Sequence, residues 1–407
     1  MKHVIIGVGA AGMTAAATIR ECSPSAEIVM ISSDAHVHSR CMLHKYLSHE
    51  RDEETLNFVP ADFFEKKRIT WLKEKRVEAV EPGQKQVRLA DGTLVSYDKL
   101  LIATGADSVI PPIGDFKNAK NVFGLRNLSD AQAIDRLAKD ASEVLVVGSG
   151  LVGMDAAYAL LERGKKVTVV EMAERILPLQ LDETAGKPYQ EAFEAHGCRF
   201  LLGKKAAGTR MDGNGRITSV SLDDGTEIPC DLIIVAAGVR PAIACAAAGG
   251  LQGERFIETD DSMKTSQEDV YAAGDVTGRS GIWPNAMKQG QIAAYNMCGF
   301  RMEYVDTYAM KNTMNFYGIT TLSLGRGIPQ EGDEVLVMED HKTYKKAIIR
   351  DGRLDSILLQ GDIDYSGIYQ YLVKNQVDIS DKKDRIFDLS FADFYGMTED
   401  GHYDYQI

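Results

Sequence analysis

Twice in this chain a short apolar run enters a Gly-x-Gly-x-x-Gly turn, continues into a helix of small residues and returns as a second β-rich run. The first unit passes from His3-Val4-Ile5-Ile6 through Gly7-Val8-Gly9-Ala10-Ala11-Gly12 and a helix to about Glu21, then returns from Glu27 to Ile31. The second passes from Glu143 to Val147 through Gly148-Ser149-Gly150-Leu151-Val152-Gly153 and an Ala- and Leu-rich helix to about Arg163, then returns from Lys166 to Val170, ending at Glu171. Each completes strand, turn, helix and strand within about 30 residues, the context that gives the motif its meaning. The first glycine permits the tight turn, the second lets backbone approach a pyrophosphate, and the third lets helix and strand pack closely. The helix N-terminus adds N–H groups and the positive end of a dipole. Two such units imply two dinucleotide sites, one at Gly7, Gly9 and Gly12 and one at Gly148, Gly150 and Gly153.

The residue that closes each second strand bears on which dinucleotide is held. Glu171 stands roughly 20 residues beyond the start of its turn, where a carboxylate accepts hydrogen bonds from an adenosine ribose diol and repels a 2′-phosphate. NADH is therefore expected over NADPH, with Arg175 the nearby cation that leaves a phosphate contact open. The first unit has Ser32 at the matching place, followed by Ser33 and Asp34, so the usual carboxylate is absent or displaced. A serine hydroxyl is the expected ribose contact there.

Length and composition bound the remaining possibilities. At 407 residues the chain exceeds the roughly 100–200 residues of an ordinary domain, so two or three domains are expected. A net charge of −13 with a pI near 5.2 argues against nucleic acid or an anionic membrane as partner, since both reward a basic surface. The N-terminus enters a strand directly, without a basic segment, an apolar core and a cleavage site, so no signal peptide is expected. The longest apolar region, 144–161, is broken by glycines and by Asp155, and no membrane span is expected. Six cysteines, Cys22, Cys41, Cys198, Cys230, Cys245 and Cys298, form no closely spaced pair. That fits reduced thiols in the cytoplasm, with neither a zinc site nor a local redox dithiol.

Further segments fall in an order that resembles a known family. Tyr97-Asp98-Lys99-Leu100-Leu101-Ile102-Ala103-Thr104-Gly105 is similar to the ATG segment of the two-dinucleotide flavoprotein reductases. Val270-Tyr271-Ala272-Ala273-Gly274-Asp275 resembles their second FAD motif, and Ala236-Ala237-Gly238-Val239-Arg240-Pro241 their exit from the NAD domain. Residues 1 to about 300 thus resemble the pyridine nucleotide-disulfide oxidoreductase superfamily, which includes reductases of rubredoxin and ferredoxin, the flavin module of nitrite reductase, coenzyme A disulfide reductase and NADH oxidase. The resemblance implies an α/β fold with two nested Rossmann-like domains, one for FAD (1–112 and 242–308) and one for NAD (113–241). A C-terminal α+β domain (309–407) would form the interface of a homodimer. FAD contacts are implied at Ala103, Thr104, Gly105, Gly238, Gly274 and Asp275, the last bonding the ribitol.

The segment Arg40-Cys41-Met42-Leu43-His44-Lys45 carries two readings. Against the ferredoxin and rubredoxin reductases it matches R-P-x-L-x-K, which implies Arg40 on the FAD phosphates and Lys45 near the flavin's reactive edge. Against the coenzyme A disulfide reductases it places Cys41 where those enzymes keep a redox cysteine, although Met42 replaces their glycine. A redox Cys41 would need a thiolate, with Lys45 lowering its pKa; otherwise Cys41 is a small residue standing where relatives have proline. His36, His38 and His44 have no recognisable partner and are read as loop histidines.

Asp155 occupies the position where the family has a glutamate facing the nicotinamide, often paired with the lysine matched here by Lys45. Arg126 resembles an arginine at the domain junction, and Trp283 opens a segment similar to one beside the flavin ring. The last hundred residues carry strand-like runs at 314–324, 334–339, 345–349 and 355–360. The tail 387–407, rich in Phe, Tyr and Asp, aligns with nothing.

The expected enzyme takes hydride from NADH onto flavin N5 and hands electrons to an acceptor. Three acceptor readings stay open: a small electron-carrier protein or partner redox subunit; a disulfide, persulfide or oxygen species handled through Cys41; or no turnover, in a flavin-binding interaction protein.

Overall fold

The computed structural model describes residues 1–251, 253–305 and 311–405. The expected boundary at 308/309 and the last two residues of the tail lie outside them. The chain divides into two compact units. The first comprises Met1–Val147, Asp155–Lys166 and Ala206–Val305; the second comprises Gly148–Met154, Val167–Lys205 and the segment from Asp306 onward.

The first unit is built on β1 (Lys2–Ile6), α1 (Ala10–Cys22) and β2 (Glu27–Ile31), with the short helix α2 (Leu43–Leu47) following and β3 (Lys99–Ile102) later in the chain. The sheet order is Val270–Ala272, β3, β1, β2, Thr70–Leu72, with every pairing parallel. Val4, Ile5 and Ile6 are all buried, as they must be in a parallel sheet covered on both faces. Ile6 pairs with both Ile31 and Ile102, so the first glycine turn opens at the carboxyl ends of three strands. Ligands collect at that edge in doubly wound sheets. One face is covered by α1 lying along the helix Trp283–Met297. Their approach is close because a Cβ on Gly290 would fall 2.2 Å from the Ala11 carbonyl oxygen. Val80, Val87 and Val95 of a three-stranded antiparallel sheet cover the other face. Further on, β4 (Glu143–Val147) pairs in parallel with Leu232–Val235, which pairs in parallel with Val122–Phe123. The ribbon of Ala106–Ser108 with Val239–Pro241 is antiparallel.

In the second unit β5 (Lys166–Val170) pairs in parallel with Cys198–Leu201. The Gly148 N–H donates to the Val170 carbonyl at 2.8 Å, closing the second glycine turn onto that strand. The helix Glu183–Ala195 is N-capped by Asp182, whose carboxylate accepts from the Ala185 N–H at 3.1 Å. An antiparallel sheet follows, in the order Lys311–Phe316, Ile319–Leu324, Arg353–Gln360, Tyr344–Arg350, Glu334–Glu339. The Tyr189 hydroxyl bonds the Ile319 carbonyl and the Thr321 hydroxyl at 2.9 Å each, and Gln360 Nε2 donates to the Ala185 carbonyl at 2.9 Å.

The expected run 314–324 is two strands, not one. Tyr317 (φ 51°) and Gly318 (φ 80°) both take the left-handed conformation that a tight hairpin turn requires. The tail forms its own small hairpin, Tyr395–Met397 with Tyr403–Tyr405.

Candidate functional site

At the first turn the three glycines meet different constraints. A Cβ on Gly7, at φ +111°, would lie 2.2 Å from the Ala103 carbonyl oxygen, and one on Gly12 would lie 2.1 Å from the Gly7 oxygen. One on Gly9 would meet a single neighbour, Arg40 Nη1 at 3.3 Å. Gly7 and Gly12 therefore serve the fold, whereas Gly9 keeps open a space between the helix and a guanidinium. No side chain caps α1, and its first turn holds no acidic residue, so its N–H groups face that space unspent. Arg40 is held over it by Asn127 Oδ1 at 3.1 Å and by Asp34 Oδ2 at 3.6 Å. Burial, opposed by Asp34, pulls the Arg40 pKa down from its ordinary value without making it neutral. This donor set fits the pyrophosphate of FAD.

Ser32 departs from expectation. Its buried hydroxyl donates to the Asp34 carbonyl at 3.2 Å and accepts from Trp71 Nε1 at 3.1 Å, so its donor is already used. Ser33 is exposed to solvent. The carboxylate missing from position 32 is found two residues on, at Asp34.

Three further chain segments carry the remaining expected FAD contacts. Gly105 (φ +73°) and Gly274 (φ +84°) are both left-handed. Thr104 Oγ1 donates to the Ala242 carbonyl at 2.8 Å, and the Gly274 N–H donates to the fully buried Gln289 side chain at 2.8 Å. Arg126 Nε donates to the Ala106 carbonyl at 3.1 Å, while its Nη2 pairs with the Asp275 carboxylate. Gly238 (φ +92°) accepts from the Val109 N–H at 3.0 Å beside the antiparallel ribbon. Trp283 packs edge-on against Phe58, centroids 4.8 Å apart.

Between these groups lie the residues expected to do chemistry. Cys41 is open to solvent, and the atoms crowding its cleft push its thiol pKa up; Arg126 and Arg40 oppose this, and Asp155 and Asp275 reinforce it. Lys45 does not supply the expected thiolate-stabilising field. Its ammonium is fixed on Glu50, at 2.8 and 2.9 Å from the two carboxylate oxygens. Nor does it pair with Asp155. The partner of Asp155 is His44, whose Nδ1 stands 3.4 Å from Asp155 Oδ2. Burial pushes the Asp155 carboxyl up to about 7 against the pull of Lys45, and burial, reinforced by Lys45, takes the His44 imidazole down to about 4. His38 is structural: Nδ1 meets the His36 carbonyl at 3.1 Å and Nε2 accepts from the Leu128 N–H at 3.3 Å.

At the second turn a Cβ on Gly150 would meet nothing within 4 Å, while Gly148 sits at φ +102° and Gly153 is buried. Glu171 is oriented by three hydrogen bonds, from the Ser149 N–H (2.8 Å), the Ser149 hydroxyl (2.9 Å) and the Ala173 N–H (2.8 Å). Arg175 Nε and Nη2 donate to the carbonyls of Leu181 and Pro178, both at 3.1 Å. A fixed carboxylate with that arginine engaged elsewhere suits the ribose diol of NADH and opposes the 2′-phosphate of NADPH.

Asn127 and Ser149 were not anticipated. Asn127 carries a readable signal, since Asn127 with Asp130 forms a capping box for the helix Leu128–Ala138. Among the described residues no group of three or more His, Cys, Asp or Glu side chains is arranged to hold a metal ion. No described helix is long and apolar enough to cross a membrane.

Residues 1–290 match the sequence profile of the pyridine nucleotide-disulphide oxidoreductases. The chain belongs to that family. Residues 311–377 of this oxidoreductase match the rubredoxin NAD+ reductase C-terminal domain. It is 30% identical over 399 residues to the NADH-dependent phenylglyoxylate dehydrogenase subunit epsilon of Aromatoleum evansii, covering 94% of each chain. It is also 30% identical to the assimilatory nitrate reductase electron transfer subunit of Bacillus subtilis, over 95% of this chain but only 51% of that one, so it spans about half that relative's length. Among solved structures it resembles putidaredoxin reductase in its covalent complex with putidaredoxin, with 25% identity, a TM-score of 0.82 and coverage of 93% and 94%. The oxidoreductase is an enzyme that uses FAD and NADH.

Proposed function

We propose that this oxidoreductase passes electrons from NADH to a small electron-carrier protein or a partner redox subunit, with Cys41 taking no redox part. The observation that carries the reading is the state of Cys41. Disulfide chemistry needs a thiolate, yet the thiol pKa is raised and the lysine expected to lower it is bound to Glu50. The names of the relatives support the same acceptor class, one being an electron transfer subunit and another a reductase held in complex with its carrier.

Bound FAD supplies hydride acceptance and the release of electrons one at a time. The protein's part is to bind and orient. The α1 N-terminus, Gly9 and Arg40 hold the pyrophosphate; Asp34 takes the adenosine ribose; Ala103, Thr104, Gly105, Arg126, Gly238, Asp275 and Trp283 line the rest of the flavin's bed. Gly148, Gly150, Gly153 and Glu171 hold NADH. On this reading residues 1–112 with 242–308 form the FAD domain, 113–241 the NAD domain, and 309–407 the interface of a cytoplasmic homodimer.

The test is an anaerobic NADH titration of the yellow protein, run beside Cys41→Ser. The expected result is full bleaching by one NADH per flavin without a long-wavelength thiolate-to-flavin band, and carrier reduction unchanged in Cys41→Ser. Consumption of more NADH with such a band, and collapse of turnover in the variant, would establish a disulfide, persulfide or peroxide acceptor instead.

A further inference from the structure

The structure brings the Asp155 carboxylate to the His44 imidazole, Oδ2 and Nδ1 standing 3.4 Å apart. Asp155 lies one turn into the helix α3 (Leu151–Leu161), and His44 lies in α2. Their side chains are 28% and 15% exposed, so the pair is mostly withdrawn from water but still in touch with it. The charged groups around them are few. Lys45 of α2 faces both; Glu50 and Arg51, just beyond α2, face His44; Cys41 feels the Asp155 charge from the preceding turn. Lys45 is neutralised on Glu50, which also accepts from Ser48 Oγ at 3.0 Å. Burial thus decides the protonation of the pair and pushes its carboxyl up to about 7.

The neighbouring groups are engaged elsewhere. Both ring nitrogens of His38 are engaged, Asp275 is paired with Arg126, Lys45 is held by Glu50, and the Cys41 thiol keeps its hydrogen.

We infer that Asp155 and His44 are the proton-exchanging pair of this oxidoreductase, taking up the proton left behind when the two electrons of NADH leave singly. The inference rests on the carrier reading above. NADH yields NAD+, two electrons and one proton; two one-electron acceptors take the electrons, and the proton has no acceptor of its own. The Asp155 carboxylate forms an O–H bond with it, the proton crosses 3.4 Å to His44 Nδ1, and the opposite ring nitrogen returns a proton to water.

The experiment uses the FAD-loaded enzyme with ferricyanide, a one-electron acceptor that needs no protein partner, in wild type, Asp155→Asn and His44→Gln. One readout is infrared: a carboxylic-acid C=O band that titrates near neutrality in wild type, is missing in Asp155→Asn and titrates at a different pH in His44→Gln. The other is stopped-flow. Reoxidation by ferricyanide falls about 100-fold in Asp155→Asn, within the usual range for a lost acid–base group, and loses its inflection near pH 7. No neutral-range carboxyl band, a band indifferent to His44→Gln, or an unchanged reoxidation profile in Asp155→Asn would overturn the inference. Failure of the carrier reading shows elsewhere, in the Cys41→Ser titration, and leaves the infrared result intact.

Discussion

Asp155→Asn should stabilise the protein, and by an amount that depends on pH. Burial holds the Asp155 carboxyl at about 7 in the folded chain, against an ordinary 3.8. That displacement spans about three decades of proton affinity, and at about 1.36 kcal/mol per decade the ionised form costs the fold about 4 kcal/mol. The side chain keeps 28% of its exposure, and solvent screening lowers the expectation to about 2–3 kcal/mol. Between pH 3.8 and about 7 the folded chain holds a proton that the unfolded chain has lost, so stability falls as pH rises through that window and the whole cost is borne above it. His44 has the opposite slope. Its pKa drops from 6.5 to about 4, so it removes stability as pH falls through nearly the same window. The two slopes offset in the wild type, and the variant lacks the slope of the carboxyl. Melting of the FAD-loaded proteins, followed by circular dichroism, should show Asp155→Asn ahead by several degrees at about pH 8 and by much less at about pH 5. A gap that does not widen with pH, or a variant that melts below wild type at pH 8, would refute the burial argument.

Two further expectations separate fold from ligand. Gly7→Ala forces a methyl to 2.2 Å from a carbonyl oxygen at φ +111°, and should cost about 3 kcal/mol or more and leave little folded protein; Gly9→Ala meets only a guanidinium and should purify without flavin and melt like wild type stripped of its flavin. Flavin content and melting temperature measured together check both, and equal losses of stability in the two variants would contradict the division of labour. Glu171→Ala removes the oriented ribose carboxylate and should raise KM for NADH about 10-fold with kcat little changed, as for a binding contact worth about 1–2 kcal/mol. An unchanged KM in steady-state assays would show that the ribose is held elsewhere.

What could be read from the sequence was whatever local geometry dictates. Both glycine turns were legible because a tight turn, a close carbonyl and an open pyrophosphate space each demand the absence of a side chain at a fixed offset. Glu171 was legible because it ends the strand on which its turn closes. Ser32 was misread because position along the strand does not set where a hydroxyl points. Trp71, 39 residues away, donates to it across the sheet, and that pairing is invisible before the fold exists. The hairpin at Tyr317 and Gly318 was hidden for a related reason, since a tyrosine at positive φ is no ordinary turn signal.

The pairing of Lys45 shows how a local contact redirects a distant one. Resemblance paired it with Asp155, which lies in another helix far along the chain. Glu50 is only five residues away, and two short hydrogen bonds to a flexible lysine are reached at small entropic cost. Once Lys45 is fixed there, Asp155 has lost the close cation that would have held it ionised, and burial takes over. The shorter aspartate then makes sense beside a histidine rather than a lysine. Imidazole carries no charge in this cleft, so the pair passes a proton without first breaking a strong ion pair. Asp155, His44 and Glu50 act together here: Glu50 holds the lysine, and the carboxylate left beside His44 can be protonated instead of being fixed in a charge pair.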